Sequence, residues 1–409
     1  MSAPDVAAVQ REHGFALVAV LARELRSLDA AEDALQEAHA AALRQWPSDP
    51  PRDPAAWLLT VARRRARDAV RREATLARKL PLLALGRPQA EPAHEPEGPA
   101  PAVDDDRLRL IFAVCHPALA PEARVALTLR YAGGLTTPEV ARLLLVSRTT
   151  MAARLTRAKH KIAAAGIPYR VPDAADLPDR LGGVLAVVHL VFTEGHLATA
   201  GPRLLRPELC AEAIRLARVL APLLPDDPEL LGLTGLMLLT HARRDARVAG
   251  GRLVTLAEQD RGRWRADELA EGLALVARAR AHERPGRYAL QGLIAAQHAR
   301  APRAADTDWA TIARLFAQLE QLDPSPVVRV NRAVAVAECD GPDAGLALLE
   351  DVDPRRAGHQ LDVARADLLA RAGRDDAARA AFERAIARTA NGPVRAHLER
   401  RRDALAGPR

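Results

Sequence analysis

The chain has 409 residues, 49% apolar but only 3% aromatic, with 59 lysines and arginines against 52 acids. That length predicts two to four domains with room for real cores. β-branched residues are too sparse and scattered for many strands, which argues against a strand-rich fold and for an all-α protein.

Taken in order, residues 9–79 read as one helical unit. Ala30–Trp46 is expected to be a helix with Leu35 and Leu43 inward and Glu32, Asp33, Gln36 and Glu37 toward solvent. Pro47, Pro50, Pro51 and Pro54 break it into a short loop. Trp57–Glu73 then resumes as a helix with Trp57, Leu58, Val61 and Val70 on its packed side. Trp57 has few aromatic neighbours and reads as core rather than as a stacking platform. From 63 to 79 the cations are Arg63, Arg64, Arg65, Arg67, Arg71, Arg72, Arg78 and Lys79, against only Asp68 and Glu73. Asp68 reads as an ion-pair partner for this cluster.

Residues 80–106 are rich in proline, alanine and acids, the composition of an extended tether. Residues 107–166 form a second helical unit, which ends in a helix-turn-helix at Leu135–Ile162. Thr136 or Thr137 caps its first helix, with Pro138 in the first turn and Glu139 at the positive helix end. Ser147 caps the second, in which Met151, Leu155 and Ile162 face inward. Arg148, Arg154, Arg157, Lys159 and Lys161 fall in that helix, and no acid occurs between Arg142 and Lys161. One buried face and a row of cations on the other suit a DNA major groove. The two basic helices predict phosphate contacts in two places, because the stretch Asp173–Arg409 is close to neutral.

A proline-containing joint at Pro168–Pro178 leads to residues 179–405, a succession of amphipathic helices. Candidate pairs are 208–221 with 228–247 and 268–281 with 288–300. Ala344-x3-Leu348 after Gly341 and Ala378-x3-Phe382 after Gly373 repeat at 34 residues, the tetratricopeptide period. Residues 330–405 are therefore expected to be tetratricopeptide-like.

Three stretches together resemble a known family. AAEDALQEAH at Ala30–His39, WLLTVARRRARDAVRR at Trp57–Arg72 and TMAARLTRAK at Thr150–Lys159 are similar to regions two and four of the extracytoplasmic-function sigma factors of bacterial RNA polymerase. The departures are His39 for an aromatic, Arg64 for Asn, Leu145 for a turn glycine, and Ala152 and Ala153 for Lys and Ser. The helical C-terminal extension resembles a subgroup with a tetratricopeptide-like tail. The resemblance implies a sigma region 2 helical domain at 9–79, the acidic linker at 80–106 and a region 4 helix-turn-helix domain at 107–166. It implies that Asp33, Gln36 and Glu37 meet core RNA polymerase and that Arg63, Arg64, Arg67 and Arg71 engage the −10 element of promoter DNA. Arg148, Thr149, Thr150, Arg154 and Arg157 would sit at the −35 element. The linker would run toward the RNA exit path, and the tail would bind a protein or peptide partner or the promoter-binding domains.

Function classes outside transcription find little support. There is no Walker lysine after a glycine-rich loop, no G-x-G-x-x-G after a strand and no H-E-x-x-H, so no enzyme, cofactor or metal motif is expected. Cys115, Cys210 and Cys339 are isolated, which argues against a disulfide framework or CxxC site, and Cys115-His116 reads as core. The polar clusters Glu194–His196 and Glu258–Trp264 read as inter-helix turns. No apolar run is long enough for a membrane span, and no leader pattern is evident, so a cytoplasmic location is expected. The alternative to a sigma factor is a DNA-binding regulator with a helical-repeat sensor; an enzyme fused to a DNA-binding module is the third reading.

Overall fold

The ends of the helices follow local chemistry. Ser27 accepts the Ala30 N–H at 3.2 Å and Asp53 accepts the Ala56 N–H at 3.0 Å, so each starts a helix where the sequence offers a short polar side chain. In the computed structural model, residues 6–79, 106–132, 135–144, 146–173, 176–198, 200–222 and 224–405 are described. The tether at 80–105 and Leu145 therefore lie outside the described residues, as does the side chain of Val70. The chain divides into two units, Met1–Val187 and Val188–Arg409.

Unit 1 begins with α1 (Val6–Leu25), α2 (Leu28–Gln45) and α3 (Pro54–Lys79). α1 stops at Arg26, whose φ of 50° turns the chain sharply into α2. Leu21, Ala31, Ala38 and Leu58 are fully buried between the three helices, each leucine contributing roughly 2 kcal/mol. Trp46 closes this core at 1% exposure, with the half-buried Trp57 edge-on to it at 5.6 Å between ring centroids. Trp57 is thus core, as its sequence context suggested. Leu43 is not: it lies 65% exposed on the outer face of α2, where Ala38 and Ala42 take the inward positions.

α4 (Asp106–Val114), α5 (Pro121–Tyr131), α6 (Thr137–Leu143) and α7 (Arg148–Ala164) follow, then α8 (Leu177–His196), which crosses the division between the units. Cys115 is buried with its Sγ 3.4 Å from the Thr128 hydroxyl, and burial pushes its thiol up to about 11. It is a core cysteine. Arg180 of α8 donates to the Phe112 carbonyl at 2.7 Å, and Leu181, Val184 and Leu185 are buried.

Unit 2 continues with α9 (Pro207–Leu220), α10 (Pro228–His241), α11 (Ala266–Arg280), α12 (Arg287–Arg300) and α13 (Trp309–Leu322). α14 (Pro326–Asp340), α15 (Pro342–Leu349), α16 (Pro354–Ala357), α17 (His359–Arg371), α18 (Asp375–Arg388) and α19 (Gly392–Ala404) complete it. Asp227, Asp308, Ser325 and Asn391 each cap the helix that follows, and proline occupies the first turn after three of them. α10 is buried on every side, and its approach to α12 is set by glycine. A Cβ on Gly232 would meet the Ala289 backbone at 2.5 Å, and one on Gly292 would meet the Gly232 carbonyl at 2.9 Å. Further along, Asp362 of α17 is 2% exposed and is gripped by Arg384 at 3.0 Å and Arg388 at 3.1 Å, both from α18.

Among the described residues the sheet is minimal. β1 (Ala200–Gly201) pairs in parallel with β4 (Ala390–Asn391), and β2 (Val248–Ala249) pairs antiparallel with β3 (Arg252–Leu253). Asn391 reinforces the first pairing, donating from its side-chain amide to the Ala198 carbonyl at 2.8 Å and the Arg203 carbonyl at 3.0 Å. The start and end of unit 2 are thereby joined.

Candidate nucleic-acid interface

α6 and α7 are fixed by two caps. Thr136 and Glu139 bond reciprocally: the Glu139 carboxylate accepts the Thr136 N–H and hydroxyl, both at 2.7 Å, and the Thr136 hydroxyl accepts the Glu139 N–H at 3.4 Å. Ser147 accepts the Thr150 N–H at 3.0 Å and starts α7. Met151, Leu155, Ala158 and Ile162 bury one stripe of α7 against the unit 1 core. The two caps and this stripe match the sequence-based expectation.

The cations of α7 do not form one row, as the sequence alone suggested. At 3.6 residues per turn, Arg154, Arg157 and Lys161 fall on one flank of the buried stripe and Arg148 and Lys159 on the other. The outermost face between them carries Thr149, Ala152, Ala153, Thr156 and His160, all exposed. A slim, uncharged ridge with cations at its edges is a shape that enters a major groove: short side chains let the helix sit deep, and the flanks meet phosphates. Arg154, Arg157 and Lys161 also edge a cleft of about 270 Å³ against Leu119 and Glu122.

Lys159 leaves the row altogether. It is ion-paired with Asp29 and, at 3.3 Å, with Glu32, both on α2. Burial opposes its charge, but the two carboxylates hold its pKa above the usual lysine value. Glu32 is also ion-paired with Arg130 and accepts the Tyr131 hydroxyl at 3.1 Å. Burial, and then the charge of Glu32, raises the Tyr131 hydroxyl far above its ordinary pKa, so it stays a donor. Glu32, expected in solvent from its helix position, is therefore half-buried and binds two cations and a phenol. Nothing in its local pattern signals this, because the partners lie about a hundred residues away.

On α2 the remaining polar positions behave as read. Asp33, Gln36 and Glu37 are exposed on one face, with Glu37 3.6 Å from Arg65 of α3. His39, in place of an aromatic, is partly buried, and burial lowers its pKa. On α3, Arg63, Arg64, Arg67 and Arg71 are exposed. Arg63 is pinned back to α1 by two bonds to Glu24, at 2.6 and 3.0 Å, and those bonds hold the Glu24 carboxyl below its usual range. Arg64 extends from a position facing solvent, and Arg67 leans on the Arg63 carbonyl at 3.4 Å.

Comparison with known proteins agrees with this arrangement. Residues 10–75, comprising most of α1–α3, match the family model Sigma-70 region 2, and residues 109–162, from α4 to α7, match Sigma-70, region 4. The chain belongs to the sigma-70 family. It is an ECF-like sigma factor with a C-terminal extension, and it directs core RNA polymerase to promoter DNA. Residues 180–280 of this factor match a family of unknown function, DUF6596. The sigma factor is 45% identical over 392 residues to Uncharacterized protein R00370 of Rhizobium meliloti (strain 1021), covering 94% of this chain and 92% of that protein. No solved structure matches it.

Of the polar clusters of the extension, Glu258–Trp264 lies in short turns as the sequence suggested, whereas Glu194–His196 is the last turn of α8. Glu194 of α8 is bridged to Arg206 at 2.8 Å, and Glu258 caps a short turn through Thr255. Trp264 is buried beneath Arg261, whose guanidinium lies 4.4 Å from the ring centroid. No helix of the described residues is long and apolar enough to cross a membrane.

Proposed function

We propose that this sigma factor reads the −35 element with α7 and opens the −10 element with α3, while the exposed face of α2 engages the polymerase clamp. The observation that carries the reading is the exposed ridge of α7, flanked by cations and held by two caps, in a chain that also carries the basic helix α3. Arg148, Thr149 and Thr150 stand at the N-terminal end of α7, the end from which a recognition helix reaches base edges. Arg154 and Arg157 lie further along, where cations meet phosphate. Arg63, Arg64, Arg67 and Arg71 provide a cationic track for a single strand, and Asp33, Gln36 and Glu37 an acidic, polar face for a basic coiled-coil partner. The extension acts as a regulatory or polymerase-engaging domain, with tetratricopeptide-like packing at 330–405; the helix pairs α14/α15 and α17/α18 support that reading. Sigma factors are not enzymes in general, and on this reading the extension likewise binds rather than catalyses.

Transcription in vitro with core polymerase and the full-length chain tests the proposal: a promoter-dependent transcript is expected, and its absence rejects it. Two variants separate the roles of α7. Arg148→Ala is expected to relax discrimination at the contacted base by about 1–3 kcal/mol. Lys161→Ala is expected to weaken binding to every promoter alike and to reduce the salt dependence by about one phosphate contact. Footprinting on variant promoters distinguishes these outcomes, and equal losses at all sequences for both variants would remove the base-reading assignment.

A further inference from the structure

Unit 2 contains a cavity of about 460 Å³ among α10, α12, α13 and α14, a volume typical of small-molecule sites. Its walls are apolar where Leu236, Ile294, Phe316 and Val328 line it, and two guanidinium groups, of Arg243 and Arg287, join them. Arg243 follows the end of α10 and is half-buried on the cavity lining. Among the described residues it has no hydrogen bond and no ion pair; its one close contact is the Trp264 ring, 5.9 Å from its guanidinium carbon. The neighbouring arginines are satisfied: Arg261 donates to the His298 and Ala301 carbonyls at 2.6 and 2.7 Å, and Arg247 to the His196 carbonyl and ring.

A half-buried guanidinium with no acceptor among the described residues has lost part of its hydration without a protein partner in return, and the neighbouring charge of Arg261 adds to that cost. Burial, and then the charge of Arg261, lowers its pKa to about 10, which leaves it charged at neutral pH. His189 and His298, also on the lining, are held neutral by burial and by nearby arginines, each pushed down to about 4. Asp323 lines the cavity but forms no ion pair with either arginine among the described residues. The lining therefore carries a net positive charge beside apolar walls, with the hydrogen-bonding capacity of Arg243 unused among the described residues.

We infer that this cavity binds a small amphiphilic anion, whose carboxylate or phosphate head meets Arg243, with Arg287 adding positive charge on the lining, and whose apolar body lies against Ile294, Phe316 and Val328. Arginine offers a planar fork of donors that matches either head group. The site makes the extension a receptor for a metabolite. It rests on unit 2 alone and stands whether or not α7 reads a promoter.

Calorimetric titration of the full-length protein with octanoate, octyl phosphate and uncharged octanamide tests this. Both anions are expected to bind, with octanamide weaker by about tenfold or more, the loss of one charge-assisted hydrogen-bonded pair. The tighter of the two anions identifies the head group. Arg243→Met is expected to raise the melting temperature of the unliganded protein by about 2–4 °C, because it removes an unpaired charge, and to lose the preference for anions. A purely structural arginine would do the reverse. Should Arg243→Met fail to fold, Arg287→Gln, at an exposed position, is expected to weaken both anions about fivefold and leave octanamide unchanged. Equal affinity for octanoate and octanamide, no binding of either anion, or unchanged anion affinity in a folded arginine variant would overturn the inference.

Discussion

Reversing the charge of one glutamate, Glu32→Arg, is expected to open unit 1 and to tighten promoter binding by the free protein. Glu32, Arg130 and Lys159 have side chains only 16%, 21% and 15% exposed, so their pairing is worth more than the 0–1 kcal/mol of a surface bridge. Replacing the carboxylate removes the ion-pair partner of Arg130 and the acceptor of the Tyr131 phenol, leaves Lys159 with Asp29 alone and adds a like charge, a loss of about 2–4 kcal/mol from the closed arrangement. The functional consequence follows from distance. The −10 and −35 elements are about 25 base pairs apart, roughly 85 Å along the duplex. Two helical bundles of this size, each about 30 Å across, do not reach both elements while α2 and α7 remain ion-paired. If α3 and α7 read the two elements as proposed, promoter engagement at both sites breaks the contacts of Glu32. Fluorescence transfer between dyes placed by Thr60→Cys and Ala164→Cys, with the exposed Cys339 replaced by serine, measures the opening, and mobility shift measures affinity. An unchanged transfer efficiency together with an unchanged affinity would show that the ion pairs do not hold the unit closed.

Mild acid is expected to unfold unit 2 well before it protonates the carboxylates. His189 and His298 have folded pKa values of about 4, burial being the main cause, and His196 is also lowered well below its usual value by burial and its arginine neighbours. The sign follows from proton binding: between pH 6.5 and 4 the unfolded chain takes up protons that the folded one refuses, so stability is full above about 6.5 and falls as the pH drops. At pH 5 each histidine with a folded value near 4 withdraws about 2 kcal/mol, and the pair about 4 kcal/mol, a large share of a typical stability. Denaturant titrations at pH 7.5 and pH 5, followed by tryptophan fluorescence, measure the difference. Replacing His298 by glutamine should flatten the pH dependence by about half. A midpoint that does not move between the two pH values would contradict it.

How much of this was legible depends on the range of the interaction concerned. Caps act within three residues, so Ser147 and the Thr136–Glu139 pair were readable; α9, α11 and α12 lie close to their expected bounds, whereas α10 stops at His241, short of the expected 247. Inward faces were readable where the apolar stripe was clean, as at Met151, Leu155 and Ile162, and misread at Leu43, where small alanines take the core side instead. The sequence could not show that Glu32 and Lys159 turn toward each other, since a charged residue on a helix looks alike whether it meets water or a distant partner. Nor could it show the cavity. Arg243 lies in a chain full of arginines, and its distinction is the lack of a partner, which is a fact of tertiary structure. The glycines of α10 and α12 carry no local pattern that marks their role, although only glycine permits the backbone contact at Gly232 and Gly292.

The two-residue pairing of β1 with β4 has a consequence in time. Ala200 and Ala390 meet across 190 residues of intervening chain. At about 5–20 residues per second, a ribosome needs roughly 10–40 s to make that span. The helices of unit 1 are complete before this interval ends, while Gly201 and Ala198 still await the Asn391 that will occupy their neighbourhood. Each newly made molecule therefore passes through a period in which its sigma regions exist and its extension is not yet closed, and the extension becomes whole only once Asn391 has been made.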